Sequence, residues 1–483
     1  MVRTLHDICA TDPSRIGLDT KSLKKFVATF GLLKSDVSPY STRFLNLWEK
    51  SPSGSGRSEV ILDIRKRGEI GSVEAWKALV AYSFATGRPA TWRADMPAVA
   101  THWLEGDDEQ RGRLVSAGDS QRWEEVLSLL CRADGKAKVT KSNLYPLRSR
   151  LQKPKFKFID LFAGIGGFRI PLQSQGGECV FSSEWDAKAR ETYYQNYGKW
   201  PFGDITFFTG DHSEVSIPEF IPDHDILAAG FPCQPFSQAG QKLGFDDARG
   251  TLFFDILKIA KQRRPKVLFL ENVKGLRGHD KGQTFRVICD SLHDIGYKVY
   301  SKVLSAREFG VPQNRQRIFI VAFSSPLKFK FPKSVSLDSR KSLKDILEPK
   351  PEPRFTISDR MWAGHQTRKK RHRANGNGYG YSLFKKDAEY VNTISARYWK
   401  DGSEILIDQG RRNPRTLTPR ECARLQGFPE EFSLHPSKKS NYQQFGNSVA
   451  VPVIDAITRE IIRSLTSNVK AVEMFDDLRT VDC

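Results

Sequence analysis

The chain has 483 residues, 39% hydrophobic and 27% charged, a globular balance that excludes a wholly disordered or fibrous protein. Its 76 Lys and Arg against 56 Asp and Glu leave a net charge of +20, which favours a polyanionic partner without separating DNA from RNA or an acidic membrane face. The 7 cysteines are scattered and form no CxxC pair, which argues against a disulfide framework or a zinc site, and no metal is expected. Neither a signal peptide at Met1–Ala10 nor an apolar run long enough to span a membrane is visible, so the expectation is a soluble protein of a reducing compartment.

Residues 1–150 read as a mainly helical N-terminal extension of unassigned role. Apolar residues recur at spacings of three and four over Val73–Phe84 and Arg122–Leu130, and Ser51–Ser58 (SPSGSGRS) is a flexible break. The basic stretch 133–157, with Pro146 and Pro154, reads as a linker. Beyond it the texture changes. Short apolar runs at Phe156–Phe162, Asp225–Ala229, Lys266–Leu270 and Ile318–Phe323 predict buried strands, and Thr251–Lys261 and Thr284–Ile295 predict helices between some of them. Such alternation predicts an α/β fold with a largely parallel sheet covered on both faces, its ligands beyond the carboxyl ends of the strands. More than half of the surplus charge falls in 328–415, where 21 basic and 10 acidic residues give +11 over 88 positions. That segment reads as a phosphate-contacting module rather than a solvated loop.

The first predicted strand runs into a glycine-rich turn, Phe162-Ala163-Gly164-Ile165-Gly166-Gly167-Phe168, where the missing Cβ atoms let backbone approach a ligand. A dinucleotide fingerprint would need a third glycine where Arg169 stands. Glu184 follows a second probable strand and could accept from two ribose hydroxyls, Trp185 could stack on an adenine, and Asp204, beside Ile205, could accept from an exocyclic amine. An adenosine-bearing cofactor without a pyrophosphate suits this set better than NAD. The sharpest signal is Gly230-Phe231-Pro232-Cys233-Gln234-Pro235-Phe236-Ser237, which puts a thiol flanked by prolines at the end of a strand. Glu271, in Leu270-Glu271-Asn272-Val273, stands at the end of the next strand.

These motifs, with Gln313-Asn314-Arg315-Gln316-Arg317, Arg420–Phe428 (RECARLQGF) and Gln444–Val449 (QFGNSV), in this order over about 156–460, resemble the DNA cytosine-5 methyltransferase family. Residues 372–380 and 393–398 are similar to bacterial members that read CC(A/T)GG or closely related sites. The resemblance implies a Rossmann-like, S-adenosyl-L-methionine-dependent methyltransferase sheet at 155–327. It further implies a small target-recognition domain at 328–415 and a C-terminal part, 416–483, that returns to the catalytic domain. Cys233 would add to carbon 6 of a cytosine. Glu271 would donate a proton near ring nitrogen 3, which requires a raised pKa. Arg317 would contact the base carbonyl oxygen, with Arg315 beside it. The cofactor pocket would comprise Phe162–Gly167, Glu184, Trp185, Asp204, Ile205, Pro232, Asn447 and Ser448. The target base must leave the stack, so Ser237–Phe253 would be a mobile lid with hinges at Gly240, Gly244 and Gly250. Gln234, Ser237 and Arg249 would face DNA, and candidates for reading the site are Arg371, Arg373, Asn375, Asn377, Arg397 and Tyr398.

The expected partner is therefore double-stranded DNA carrying a short, near-palindromic site. The protein would act as a cytoplasmic bacterial monomer at the nucleoid, either as a solitary methylase or beside a cognate restriction endonuclease. An RNA cytosine methyltransferase shares the same chemistry, but the basic segment with its Gly-Tyr alternation favours DNA. A DNA-binding regulator on a dead fold is disfavoured because Cys233, Glu271, Arg315 and Arg317 are all present, and an NAD oxidoreductase is disfavoured by Arg169.

Overall fold

The computed structural model describes residues 154–199, 201–210, 213–232, 252–376, 378 and 380–479. The helical extension, its Ser51–Ser58 break and most of the linker lie outside these residues. In chain order the elements begin with β1 (Phe156–Leu161), α1 (Arg169–Ser174), β2 (Gly177–Ser183), α2 (Ala187–Tyr197), α3 (Thr206–Thr209), α4 (Ser213–Phe220), β3 (Ile226–Gly230) and α5 (Leu252–Arg263). They continue with β4 (Val267–Val273), α6 (Gln283–Asp294), β5 (Lys298–Ser305), β6 (Gln316–Phe323) and α7 (Asp359–Ala374). The last are β7 (Leu383–Phe384), β8 (Leu406–Gln409), β9 (Arg412–Arg415), α8 (Pro419–Leu425), α9 (Lys438–Asn447) and α10 (Val451–Arg479). Among the described residues no helix is long and apolar enough to cross a membrane.

Two compact units emerge. Among the described residues, one contains those within 180–223 and 254–264; the other contains 154–179, 224–232, 252–253 and those within 265–479. In the first, Phe181 stacks on Phe202 with centroids 5.1 Å apart, and Phe208 meets both rings edge-on. Thr209 Oγ1 donates to Asp255 at 2.6 Å, and Lys258 Nζ donates to the Thr209 carbonyl at 2.6 Å, fastening α3 to α5. Asp186 caps α2 by accepting from the Ala189 amide at 2.8 Å.

The second unit holds strands in the order β1-β3-β4-β6-β5. β1, β3 and β4 are parallel neighbours, whereas β6 runs antiparallel to both β4 and β5. The predicted parallel core is thus present with one reversal at β6. The inner strands are buried nearly throughout, as strands covered on both faces must be. β5 escapes the sequence reading because Lys298 and Lys302 interrupt it. It lies at the end of the strand order, where lysines discourage further pairing.

The core of this unit joins Phe158, Phe168, Phe269 and Val321 to Val453, Ile454, Ile457 and Ile461, one face of α10. Phe329 belongs to the same core and Phe331 packs against it, so the charge-rich stretch 328–415 is rooted in the main sheet rather than hung from it. The motif 420–428 is structural. Thr418 and Glu421 form a capping box for α8, and the buried Glu421 takes a bidentate pair from Arg415 at 2.8 Å to each oxygen, plus the Glu348 amide at 2.8 Å.

Two glycines should respond oppositely to alanine. A Cβ on Gly446 would lie 2.3 Å from the Ala396 nitrogen and from the Ser395 carbonyl carbon, so main chain would have to move. Gly364, exposed in α7, has nothing within 4 Å of that position. Urea titration should show Gly446→Ala destabilised by about 1–3 kcal/mol or more, and Gly364→Ala stabilised by about 0.5–1 kcal/mol.

Candidate active site

Because β1, β3 and β4 are parallel, their carboxyl ends share one edge. β1 delivers the glycine-rich turn there. Phe162 sits at φ +53°, a left-handed conformation uncommon for a side-chain-bearing residue, followed by Gly164 at +54° and Gly166 at +83°. A Cβ at Gly164 would meet nothing within 4 Å, so the turn presents open backbone to that side, with Ala163 and Ile165 buried in support. Gly167 is different, since a Cβ there would lie 2.7 Å from Val449 and 2.9 Å from Ser448 Oγ. Its smallness lets the 447–449 turn close against the end of β1. Asn447 is exposed and Ser448 half-buried in that turn.

β3 ends at Gly230, whose register partner on β4 is Glu271. Glu271 Oε2 lies 3.6 Å from where a Gly230 Cβ would stand, so the glycine leaves the carboxyl uncovered on that side. The reversal at β6 then matters. Val273 pairs with Arg317, which places Arg317 diagonally across from Glu271, and its Nε stands 3.1 Å from Glu271 Oε1. Burial raises the Glu271 pKa above the ordinary carboxyl value, prevailing over Arg317 and Arg315, which pull it down. Burial likewise lowers Arg317, against the pull of Glu271.

Arg315, expected beside Arg317 at the base, is directed elsewhere. Only 3% exposed, it donates from Nη1 to the Ile394 carbonyl at 3.2 Å and from Nη2 to the carbonyls of Gly446 at 3.1 Å and Ser448 at 2.6 Å. It is a positioning residue that ties three segments together. Three further positioning residues went unread in the sequence. Asn272 donates to the Phe231 carbonyl at 2.9 Å, fixing the chain two residues before Cys233. Gln313 donates to the Leu425 carbonyl at 3.1 Å and accepts from the Ile394 amide at 3.1 Å, while Gln426 donates to the Phe445 carbonyl at 2.6 Å. Their signal was present, since each is an amide residue beside an already noted charged or glycine position, but an amide's partners are set by distant segments.

Phe231 and Pro232 are described; Cys233, Gln234, Ser237, Arg249 and Asn377 lie outside the described residues, as does the proposed lid up to 251. In the first unit, Glu184 is buried and accepts from the Asp186 amide at 2.8 Å. Trp185 is 80% exposed, Asp204 accepts from the Thr206 amide at 3.0 Å, and Ile205 is buried. In the basic segment Arg371, Arg373 and Asn375 are exposed at the end of α7, and Arg397 is exposed. Tyr398 is a correction. It is 1% exposed, donates to the Ile405 carbonyl at 2.6 Å and accepts from the Leu417 amide at 2.8 Å, so the fold consumes its hydroxyl and no base can reach it.

The model of the family described as C-5 cytosine-specific DNA methylase matches residues 156–463. The chain is 51% identical to the type II methyltransferase M.DsaV of Dactylococcopsis salina over 69% of its own length and 92% of that protein. It is 49% identical to the type II methyltransferase M1.ScrFI of Lactococcus lactis subsp. cremoris over 72% and 89% of the two chains. A solved S. pombe Dnmt2 methyltransferase, 20% identical, shares the fold with a TM-score of 0.52 over 64% of this chain and 99% of that one.

Because burial raises Glu271 in the folded state, its ionisation opposes folding. Its contribution is most favourable below the ordinary glutamate value of 4.5 and is lost as pH rises towards the raised value. Urea titrations of wild type and Glu271→Gln from pH 4 to 8 should show wild-type stability falling relative to the variant as pH rises. A difference independent of pH would contradict the raised carboxyl.

Proposed function

The chain belongs to the C-5 cytosine-specific DNA methylases, S-adenosylmethionine-dependent enzymes that methylate carbon 5 of cytosine in DNA, and we propose that it does so through a transient bond from Cys233. The carrying observation is the buried Glu271, held above its ordinary pKa and 3.1 Å from Arg317, at the same strand edge that Phe231 and Pro232 lead into.

Carbon 5 of cytosine is a poor nucleophile, and three chain groups answer that in turn. The Cys233 thiolate forms a bond to carbon 6. The electron pair displaced from the carbon 5–carbon 6 double bond is drawn towards ring nitrogen 3, where Glu271 supplies a proton. A carboxyl can do this only while protonated, which is what its burial favours. Arg317 fits the base carbonyl oxygen, because its Nε already engages Glu271 and a planar guanidinium can address both groups. S-adenosylmethionine supplies the methyl group as an electrophile on a positively charged sulfur. A base then removes the carbon 5 proton, the bond to Cys233 breaks, the proton on ring nitrogen 3 returns to the Glu271 carboxylate, and the aromatic ring is restored.

The residues suit that donor. The turn from Phe162 to Gly166 offers open, left-handed backbone, Trp185 presents an uncovered ring, and Glu184 beside it and Asp204 supply carboxylates. The third-glycine position is filled by the buried Arg169, which fits a ligand without a pyrophosphate. Residues 328–415 are proposed to read the target, with Arg371, Arg373, Asn375, Asn377 and Arg397 as contacts and a site of the CC(A/T)GG type. A cognate restriction endonuclease is a proposed partner in the cell, in keeping with the type II names of the relatives.

Incubation with duplex DNA and labelled S-adenosylmethionine, followed by methylation mapping, tests the reading. Wild type should place methyl groups on carbon 5 of one cytosine within a short site. Cys233→Ser should reduce incorporation by at least about 10⁴-fold while retaining DNA binding, and a duplex bearing 5-fluorocytosine should cross-link only to wild type. Methylation by the serine variant at the wild-type rate would overturn the role of Cys233.

A further inference from the structure

The nine residues Lys274–Gly282 form a strained basic turn that begins one residue after β4, two positions beyond Asn272. Lys274, Arg277, His279 and Lys281 face a single acid, Asp280. Their backbone is not relaxed. Asp280 at φ +47° and Lys281 at φ +53° are both left-handed, followed by Gly282 at +88°. Side-chain-bearing residues keep such angles only where surrounding structure imposes them, and such sites concentrate at ligand clamps. Here the imposing contacts are visible. Leu276 is fully buried, His279 Nδ1 shares a 2.7 Å hydrogen bond with Thr284 Oγ1, and α6 starts directly after Gly282.

The turn is also pinned towards the reacting groups. Lys274 Nζ donates to Gln316 Oε1 at 2.8 Å, and Gln316 is the residue before Arg317. A Cβ on Gly275 or Gly278 would meet nothing within 4 Å, so neither glycine is needed for internal packing, and both leave main chain open to approach. Arg277 and Lys281 are exposed, and among the described residues neither forms an ion pair. The rigid turn thus holds uncommitted positive charge beside the pair that would receive an everted base.

We infer that Lys274–Gly282 grips the phosphate backbone of duplex DNA flanking the everted cytosine, with Arg277 and Lys281 as the charge contacts. The inference rests on the reading of Glu271 and Arg317 as the base site. It adds a second electrostatic contact, distinct in sequence from the basic segment 328–415. Because phosphates carry no sequence information, this contact should strengthen binding to any duplex and set the protein's register on the flipped nucleotide.

Fluorescence anisotropy with labelled duplexes, with and without the methylated site, at 50–200 mM salt tests it. For Arg277→Ala/Lys281→Ala the slope of log affinity against log salt should flatten by about 1.8, and affinity at 0.1 M salt should fall by roughly tenfold per charge on both duplexes. Arg277→Lys/Lys281→Arg should restore the wild-type slope, and all variants should bind S-adenosylmethionine as wild type does, which separates lost charge from lost fold. A slope equal to wild type, or a loss confined to the cognate duplex, would overturn the inference. Wild-type methylation of the same duplex is scored separately. If it occurs while the slope stays unchanged, the loop contact falls alone; if wild type neither binds nor methylates duplex DNA, the base-site reading falls with it.

Discussion

A single guanidinium carries much of the architecture around the site. Arg315 donates to the carbonyls of Ile394, Gly446 and Ser448, which belong to two segments lying 79 and up to 133 residues from it in sequence. No other side chain offers donors in a rigid planar fork that remain charged when buried. The carbonyls of Ile394 and Gly446 would otherwise be unpaired buried acceptors, at a cost of about 1–3 kcal/mol apiece. The arrangement sets the start of β6, and hence Arg317, against the 446–448 turn and the 391–398 stretch at once. Gly446 completes the interlock, because only a residue without a Cβ permits the main chain at Ser395 and Ala396 to pass so close.

Glu271 shows how the same burial serves opposite ends. Taking a carboxyl out of water favours its neutral form, and taking arginines out of water weakens their hold on their protons. The geometry keeps both from cancelling. Arg317 approaches one carboxyl oxygen through Nε, while the second oxygen faces the side left open by Gly230. A carboxyl that favours its neutral form and a cation thereby stand side by side without a tight bidentate pair that would fix the carboxylate as an anion.

The basic stretch 328–415 combines two physical tasks. Its ends and its middle are woven into the sheet unit, through Phe329, through Thr393 donating to the Asn314 carbonyl at 2.8 Å, and through the buried Arg415–Glu421 pair. Between these anchors α7 carries exposed Arg371 and Arg373 at its carboxyl end, where cations complement the helix dipole while remaining available to an external anion.

By itself the sequence determined the fold class, the strands β1, β3, β4 and β6 and the helices α5 and α6, and it singled out the glycine turn, Cys233 and Glu271 as the candidate chemistry. Those signals are local: apolar runs, glycines at a strand end, and reactive residues beside them. β5 was hidden because an edge strand alternates with lysines, and Tyr398 misled because an aromatic in a basic segment gives no sign of which face it presents. Only tertiary structure decided the direction of β6. Its antiparallel pairing with β4 sets Arg317 diagonally across from Glu271, while Arg315 is held by main-chain carbonyls. Strand direction and register depend on pairing between segments more than forty residues apart, and no pattern within either segment records which way its partner runs.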